Sequence, residues 1–251
     1  MSERPKAGYA EESAAGEVFA PAATPMRGPI EDAVVPEQLT GRVVDPGPPL
    51  RIHGYAVDTD LARHYGFTDV VRLALVGELP DEAQGRAFDV ALQLLAPIDV
   101  SFAPAHVGVL TRICAMRSSS SVGVIALALA EQARSILVEH AALLQWLDAP
   151  DTAFPEAFTA TSASDVEAIE RILPALHAAS LSVPALAARP TRLAALLAIL
   201  HACGLTRGEQ IEAALVLAQL PCVLGEAFAT RVGSIREYPM RLPPFRYEEA
   251  P

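Results

Sequence analysis

The sequence predicts an all-α fold, and three observations carry the prediction. From Thr59 onward apolar residues return at helical spacing in one segment after another. Helix-start and helix-stop residues punctuate those segments, such as Asp81-Glu82, Ser164-Asp165-Val166-Glu167, Gly77 and Gly204. No apolar–polar alternation of convincing strand length occurs. The apolar content, 51% of residues, is mostly Ala, Leu and Val, with only 6% aromatics. That composition suits helices packed closely through small side chains.

Residues 1–40 are rich in Ala, Glu, Pro and Gly without a lasting period, and read as a flexible N-terminal extension to a helical domain over 41–251. Gly41 to Ile52 holds Pro46, Pro48 and Pro49 and should be extended and loop-like, because proline lacks an amide donor and disfavours helix before it. Asp58 or Thr59 is expected to cap a short helix over Leu61 to Tyr65, with Gly66 just past its end. Thr68 is expected to cap the next helix, which Gly77 stops. Asp81 then caps a helix reaching about Leu95, ahead of Pro97.

Pro104 opens a helix through about Met116, and the polar stretch Arg117 to Ser121 interrupts. One long helix is predicted over about 120–147. Its first half is nearly all apolar, and its second half carries Glu131, Arg134, Glu139 and His140, as in a core helix that surfaces toward its end. Asp148 to Thr161, with Pro150 and Pro155, reads as a loop. The capping box Ser164–Glu167 begins a helix to about Ala179. Pro190 opens the next, which ends at Gly204. A second box, Thr206-Arg207-Gly208-Glu209, starts a helix to Leu220, where Pro221 is expected to break or kink the chain. The four prolines from Ser234 to Pro251 predict an extended tail.

Charge and cysteines exclude several function classes. Nineteen basic against thirty acidic residues give a net charge of −11, which repels nucleic-acid phosphates and anionic lipid surfaces. Neither nucleic acid nor a membrane is an expected partner. Cys114, Cys203 and Cys222 fit neither a disulfide framework nor a zinc site, and are expected to be reduced and packed as small hydrophobes. The acidic start (Glu3, Glu11, Glu12, Glu17) is unlike a targeting peptide. The longest apolar run, Val122 to Ala130, is too short to span a bilayer. A cytoplasmic location is the expectation.

Three segments resemble the citrate synthase superfamily, especially its short citryl-CoA lyase branch and the C-terminal part of ATP-citrate lyase. The first is His53-Gly54-Tyr55, then Leu61-Ala62, Phe67, Val70-Val71, Leu73-Ala74-Leu75 and Gly77-Glu78-Leu79-Pro80. The family writes Arg-Gly-Tyr, a Phe, and a Leu-rich helix ending in Gly-Glu-Leu-Pro, so that His53 replaces the usual Arg. The second runs from Pro104-Ala105-His106 through Arg112 and Ser118 to Leu129. The third runs from Leu215 through Pro221 and Glu226 to Arg231, Ile235-Arg236 and Tyr247. The resemblance covers roughly residues 45 to 250.

It implies a citrate synthase-like helical fold with a larger helical domain and a reduced small-domain region at about 150–203, followed by closing helices and a crossing tail over 204–251. It also implies a dimer, either with itself or with a citrate synthase-like relative. A CoA thioester is the implied substrate, with no resident cofactor. In the family an arginine of the tail reaches the partner's site, and Arg236 falls about there, as a substrate-binding candidate.

That chemistry needs a base for a carbon-bound proton, donors for the enolate and ketone oxygens, and arginines for substrate carboxylates. The family's histidine in Gly-Pro-x-His-Gly-Gly corresponds here to the stretch Ala128 to Arg134, which lacks both the glycines and the histidine. Its second histidine, in Gly-Phe-Gly-His-Pro, corresponds to Ser180-Leu181-Ser182-Val183-Pro184, with Val183 in the histidine's place. Its aspartate, often in an Asn-Val-Asp stretch, has no clear counterpart; the region Pro190-Thr191-Arg192-Leu193 offers Arg192 where an acid is expected. Its Ala-Arg-x-x-Gly reads Ala218-Gln219-Leu220-Pro221-Cys222. No catalytic residue is therefore assigned.

Among the remaining histidines, His140 beside Glu139 is conceivable as a base but reads better as a packed helical residue. His53 and His106 read as packing or hydrogen-bonding groups. His177 and His201 have no paired acid at a telling spacing, and no metal constellation is visible. The expectation is a catalytically degenerate subunit. Two alternatives stand beside it: an active acyl-CoA-dependent carbon–carbon synthase or lyase using non-standard residues, and a sensor for a small carboxylate.

Overall fold

The chain divides into two units, Met1–Thr40 and Gly41–Pro251. The structure, a computed structural model, describes residues 40–233. The expected N-terminal extension before Thr40 and the tail from Ser234, with Ile235, Arg236 and Tyr247, lie outside the described residues.

The second unit opens with three two-residue strands, β1 (Val44–Asp45), β2 (Arg51–Ile52) and β3 (Tyr55–Ala56), in an antiparallel sheet of order β1-β2-β3. Val44 lies opposite Ile52, and Ile52 opposite Tyr55. His53 (φ 47°) and Gly54 (φ 87°) make the left-handed turn between β2 and β3. Two residues per strand leave no alternation to read, which is why the sequence suggested extended chain without a sheet.

The first helical segment differs from expectation. It begins at Val57 as a π-helical turn, Val57–Leu61, and continues as the short α1 (Ala62–His64). Neither Asp58 nor Thr59 caps it; instead Asp60 accepts a hydrogen bond from the Ala56 amide at 2.9 Å. Thr68 likewise does not cap α2 (Phe67–Val76). Gly66 is the cap residue, and its amide donates to Asp69 Oδ2 at 2.9 Å. Gly77 ends α2 at φ 96°, a conformation costly for any residue with a Cβ.

The start of α3 (Glu82–Leu95) follows the sequence closely. The Gln84 amide donates to Asp81 Oδ1 at 2.7 Å, and the Asp81 amide donates to Gln84 Oε1 at 3.3 Å. Helix α4 (Ala103–Ile113) stops short of Met116, and Ala115 turns left-handed at φ 51°.

The single long helix expected next is two helices, α5 (Ser118–Glu139) and α6 (Ala141–Asp148). The break falls at His140, whose ring stacks on Phe158 at 5.1 Å and whose Nδ1 lies 2.8 Å from the Ile136 carbonyl oxygen. No glycine or proline stands at this break; the His140 ring marks it, through one local carbonyl and one distant aromatic partner. Helix α7 (Ala163–Ala178) is capped by Ser162 rather than Ser164, through the Asp165 amide at 3.1 Å.

Helix α8 (Arg192–Ala202) is followed by Gly204 at φ 93°. Helix α9 (Gly208–Ala229) does not end at Pro221 but runs through it. The lost amide bond costs about 3 kcal/mol in a helix interior. Residues buried on both sides of it, Leu215 and Ala218 before and Val223 and Ala227 after, hold the helix in register.

The main core gathers residues of α3, α6, α7, α8 and α9, including Phe88, Leu143, Ile172, Leu200 and Ile211. Every residue from Ala194 to Leu200 is buried, so α8 is enclosed all round. A second core joins α5 to α9 through Ile125, Leu129, Val223 and Ala227. Helix α4 packs on both, and closely: a Cβ on Gly108 would come within 3.2 Å of Val223 Cγ1.

By length and composition α5 and α9 are each long and apolar enough to cross a membrane. Val122, Val124, Leu127 and Val138 of α5 and Leu217 and Phe228 of α9 are exposed. The cysteines depart from expectation too: only Cys203 is buried, whereas Cys114 and Cys222 are exposed.

Candidate functional site

The positions where the resemblance places catalytic groups carry other duties in the fold. Ala128 to Arg134 lies within the unbroken helix α5, with Leu129 and Ala133 turned into the core. Ala, Leu, Glu, Gln and Arg are good helix formers, and without glycines nothing in the stretch favours a turn. Arg192, at the first turn of α8, donates from Nη2 to the Leu94 carbonyl oxygen at 2.7 Å. It thereby satisfies one of the open carbonyls at the C-terminal end of α3. Val183 precedes a 3-10 turn, Pro184–Ala188. Gln219 lies half-buried on α9.

The loops beneath these positions are clipped together. The Thr191 amide donates to the Phe158 carbonyl at 2.7 Å, and the Ala160 amide to the Arg189 carbonyl at 2.8 Å. That pairing fixes the entry to α8 against the segment that leads into α7, and Val183 and Pro184 share a cavity with the end of α8.

There the structure brings together two groups that the sequence left apart. His201 Nε2 lies 2.9 Å from Asp148 Oδ1. Spacing along the chain offers His201 no paired acid; the fold supplies one 53 positions away. A carboxylate only accepts, so the shared proton belongs to Nε2, and Asp148 fixes both the tautomer and the orientation of the ring. His201 is mostly covered, with 17% of its side chain exposed, while Asp148 is open at 59%.

The imidazole lines a cavity of about 190 Å³ walled by Trp146, Leu147, Pro150, Val183, Pro184, Ala185, Ala198 and Ala202. Trp146 is held in turn: its Nε1–H donates to the Thr152 carbonyl at 2.9 Å, and Phe154 meets its ring edge-on at 5.1 Å. The only local hint was that Asp148 and His201 each stand at a helix end. No spacing rule links such residues.

A larger, open cleft of about 520 Å³ lies between α1, α2 and α3. It is lined by His64, which belongs to no sequence motif named above, with Asp69, Asp81, Glu82, Asp89 and Arg86. Four carboxylates against one arginine make it hostile to an anionic thioester. Asp69 and Asp81 are already engaged at the starts of α2 and α3.

The other histidines do not converge. His140 is packed on Phe158, and Glu139 accepts from Ser135 Oγ at 3.2 Å. His177 is exposed in the last turn of α7, and His106 is exposed near the start of α4. His53 has its Nε2 buried without a hydrogen-bond partner, beside Gly77. Arg236, the tail candidate, lies outside the described residues.

No protein-family model matches the chain, and no curated protein matches it. Solved structures do. Citryl-CoA lyase from Hydrogenobacter thermophilus is similar with a TM-score of 0.58 and 14% identity, over 85% of this chain and 97% of that one. A mutant ATP citrate lyase from Methanosaeta concilii, in complex with (3S)-citryl-CoA, gives 0.54 and 13% identity over 86% of this chain and 43% of that one. ATP citrate lyase from Methanothrix soehngenii, in complex with citrate and coenzyme A, gives 0.52 and 14% identity over 86% and 43%. The chain thus has a predominantly helical, citrate synthase-like fold with a small open β-sheet.

Proposed function

We propose that this chain is a catalytically degenerate subunit built on the citrate synthase-like fold, which pairs with itself or with an active relative. The observation that carries the reading is the continuity of α5 from Ser118 to Glu139. The Gly-Pro-x-His-Gly-Gly turn of the family would interrupt this helix at Ala128 to Arg134. A helix there removes both the imidazole and the turn that would display it.

Two further observations support the reading. The Arg192 guanidinium, at the place of the family's acid, is spent on the Leu94 carbonyl. Val183, at the place of the second histidine, can neither donate nor accept a proton. Pairing is supported by the apolar side chains that α5 and α9 leave exposed, Leu127, Val138 and Phe228 among them.

The test is to purify the chain alone and together with a citrate synthase-like relative from the same source. Mass in solution is measured by light scattering, and turnover with acetyl-CoA plus oxaloacetate and with citryl-CoA. The expected result is a dimer, homomeric or mixed, and no turnover by the chain alone. A chain that stays monomeric in both preparations, or that by itself turns over either substrate, defeats the proposal.

A further inference from the structure

The cavity between the ends of α6 and α8 has features that the degenerate-subunit reading does not use. Its walls are apolar, and among the described residues His201 is the one titratable side chain that lines it. The volume, about 190 Å³, is of the order of an apolar engineered cavity of about 150 Å³ that takes up benzene. A single six-membered ring is therefore the right size.

The polar chemistry is equally restrictive. Asp148 occupies the Nε2–H of His201. In the neutral ring Nδ1 is then a lone pair, and it has no hydrogen-bond partner among the described residues. Such an atom accepts from a hydroxyl. An anionic group would instead meet the Asp148 carboxylate close by, on a chain of net charge −11. Trp146, braced by Thr152 and Phe154, offers an aromatic wall that favours an aromatic ring over an aliphatic one of equal size.

We propose that this cavity binds a monocyclic aromatic alcohol, with the ring against Trp146 and the hydroxyl donating to His201. Pockets of this design place one polar group in an apolar shell so that the shell gives affinity and the polar group gives orientation.

The experiment is calorimetric titration of the full chain with p-cresol, toluene, cyclohexanol and benzoate. p-Cresol should bind saturably and about five- to tenfold more tightly than toluene, the ratio that one hydrogen bond supplies. Cyclohexanol and benzoate should both bind more weakly than p-cresol. His201→Leu should bring p-cresol down to the affinity of toluene while leaving toluene unchanged, a split that general loosening of the fold would not give. Ala202→Phe, which fills the cavity, should abolish binding of both. If His201→Leu does not fold, His201→Phe replaces it: with a flat ring but no acceptor nitrogen, it should likewise lose the preference for p-cresol over toluene.

Saturation of the fluorescence of Trp146, the chain's one tryptophan, on excitation at the red edge places the ligand. Equal affinities for p-cresol and toluene, tightest binding of benzoate or cyclohexanol, no saturable binding of p-cresol, or undiminished binding by Ala202→Phe would each overturn the proposal.

Discussion

The Arg72 guanidinium, buried in α2, donates from Nε to the Cys203 carbonyl oxygen at 2.6 Å, across 131 positions of sequence. It also donates from Nη1 to the Glu78 carbonyl at 2.9 Å and from Nη2 to Gln84 Oε1 at 3.3 Å. One side chain thus ties the end of α2 and the turn before α3 to the end of α8. Cys203 and Gly204, where α8 stops, are held against it: a Cβ on Gly204 would lie 3.0 Å from Arg72 Nη2.

Arg72→Met should therefore be among the most damaging single changes. It leaves the Cys203 and Glu78 carbonyls without this donor while the site stays closed to water. The expected loss is about 3 kcal/mol, the usual scale for breaking a buried charged hydrogen-bond network. Urea denaturation followed by circular dichroism measures it. A loss no larger than that of an exposed arginine, such as Arg86→Met, contradicts the assignment.

Pro221→Ala should stabilise. Pro221 is exposed in the interior of α9, so alanine restores a helical amide bond without changing the core. A gain of about 1–3 kcal/mol is expected from helix propensity and the recovered bond. A rise in melting temperature is the readout; a fall would contradict this assignment.

The cysteines should separate by reactivity. Burial pushes the Cys203 thiol up to about 12, with Arg72 pulling the other way to a lesser extent. Cys114 and Cys222 are exposed. Mass spectrometry after a thiol reagent at pH 8 should show two rapid additions on those residues, and addition at Cys203 only on unfolding.

Asp60 gives a pH-dependent prediction. The Ala56 amide, and then the Thr59 hydroxyl, hold its carboxyl below the ordinary carboxylate range. A lowered folded value means that the stabilisation is present above the unfolded value and is lost as pH falls through the folded one. Asp60→Asn should flatten the loss of stability below about pH 4. Parallel melting curves of wild type and variant down the acid range read this directly, and identical slopes would rule it out.

Arg192→Asp, which restores an acid at the start of α8, should not restore catalysis. It removes the donor to the Leu94 carbonyl and should cost about 1 kcal/mol. Assays with acetyl-CoA plus oxaloacetate test it, and any gain of turnover would show that the rest of the machinery is intact.

Much of this fold is legible because its cues are local. Asp81 and Gln84 are three residues apart and cap α3 by themselves. Gly77 and Gly204 stop α2 and α8 because only glycine takes their φ cheaply. The missing histidine turn is local too: Ala128 to Arg134 has no residue that would interrupt a helix, and none does. These features follow from neighbours within one or two turns of chain, and the sequence alone determined them.

The remainder was decided by partners far away. No glycine or proline near His140 marks the end of α5; its ring turns back on the Ile136 carbonyl and stacks on the distant Phe158. Pro221 was expected to break or kink the chain, yet α9 runs through it, because buried contacts on both sides outweigh one lost amide bond. Cys203 is enclosed while Cys222, equally apolar in its surroundings in the sequence, faces outward. Asp148 and His201 became a pair only when the ends of α6 and α8 met. Local backbone preference can be summed along a chain, but which side chains share a cavity depends on how separate helices dock, and no short-range pattern encodes that.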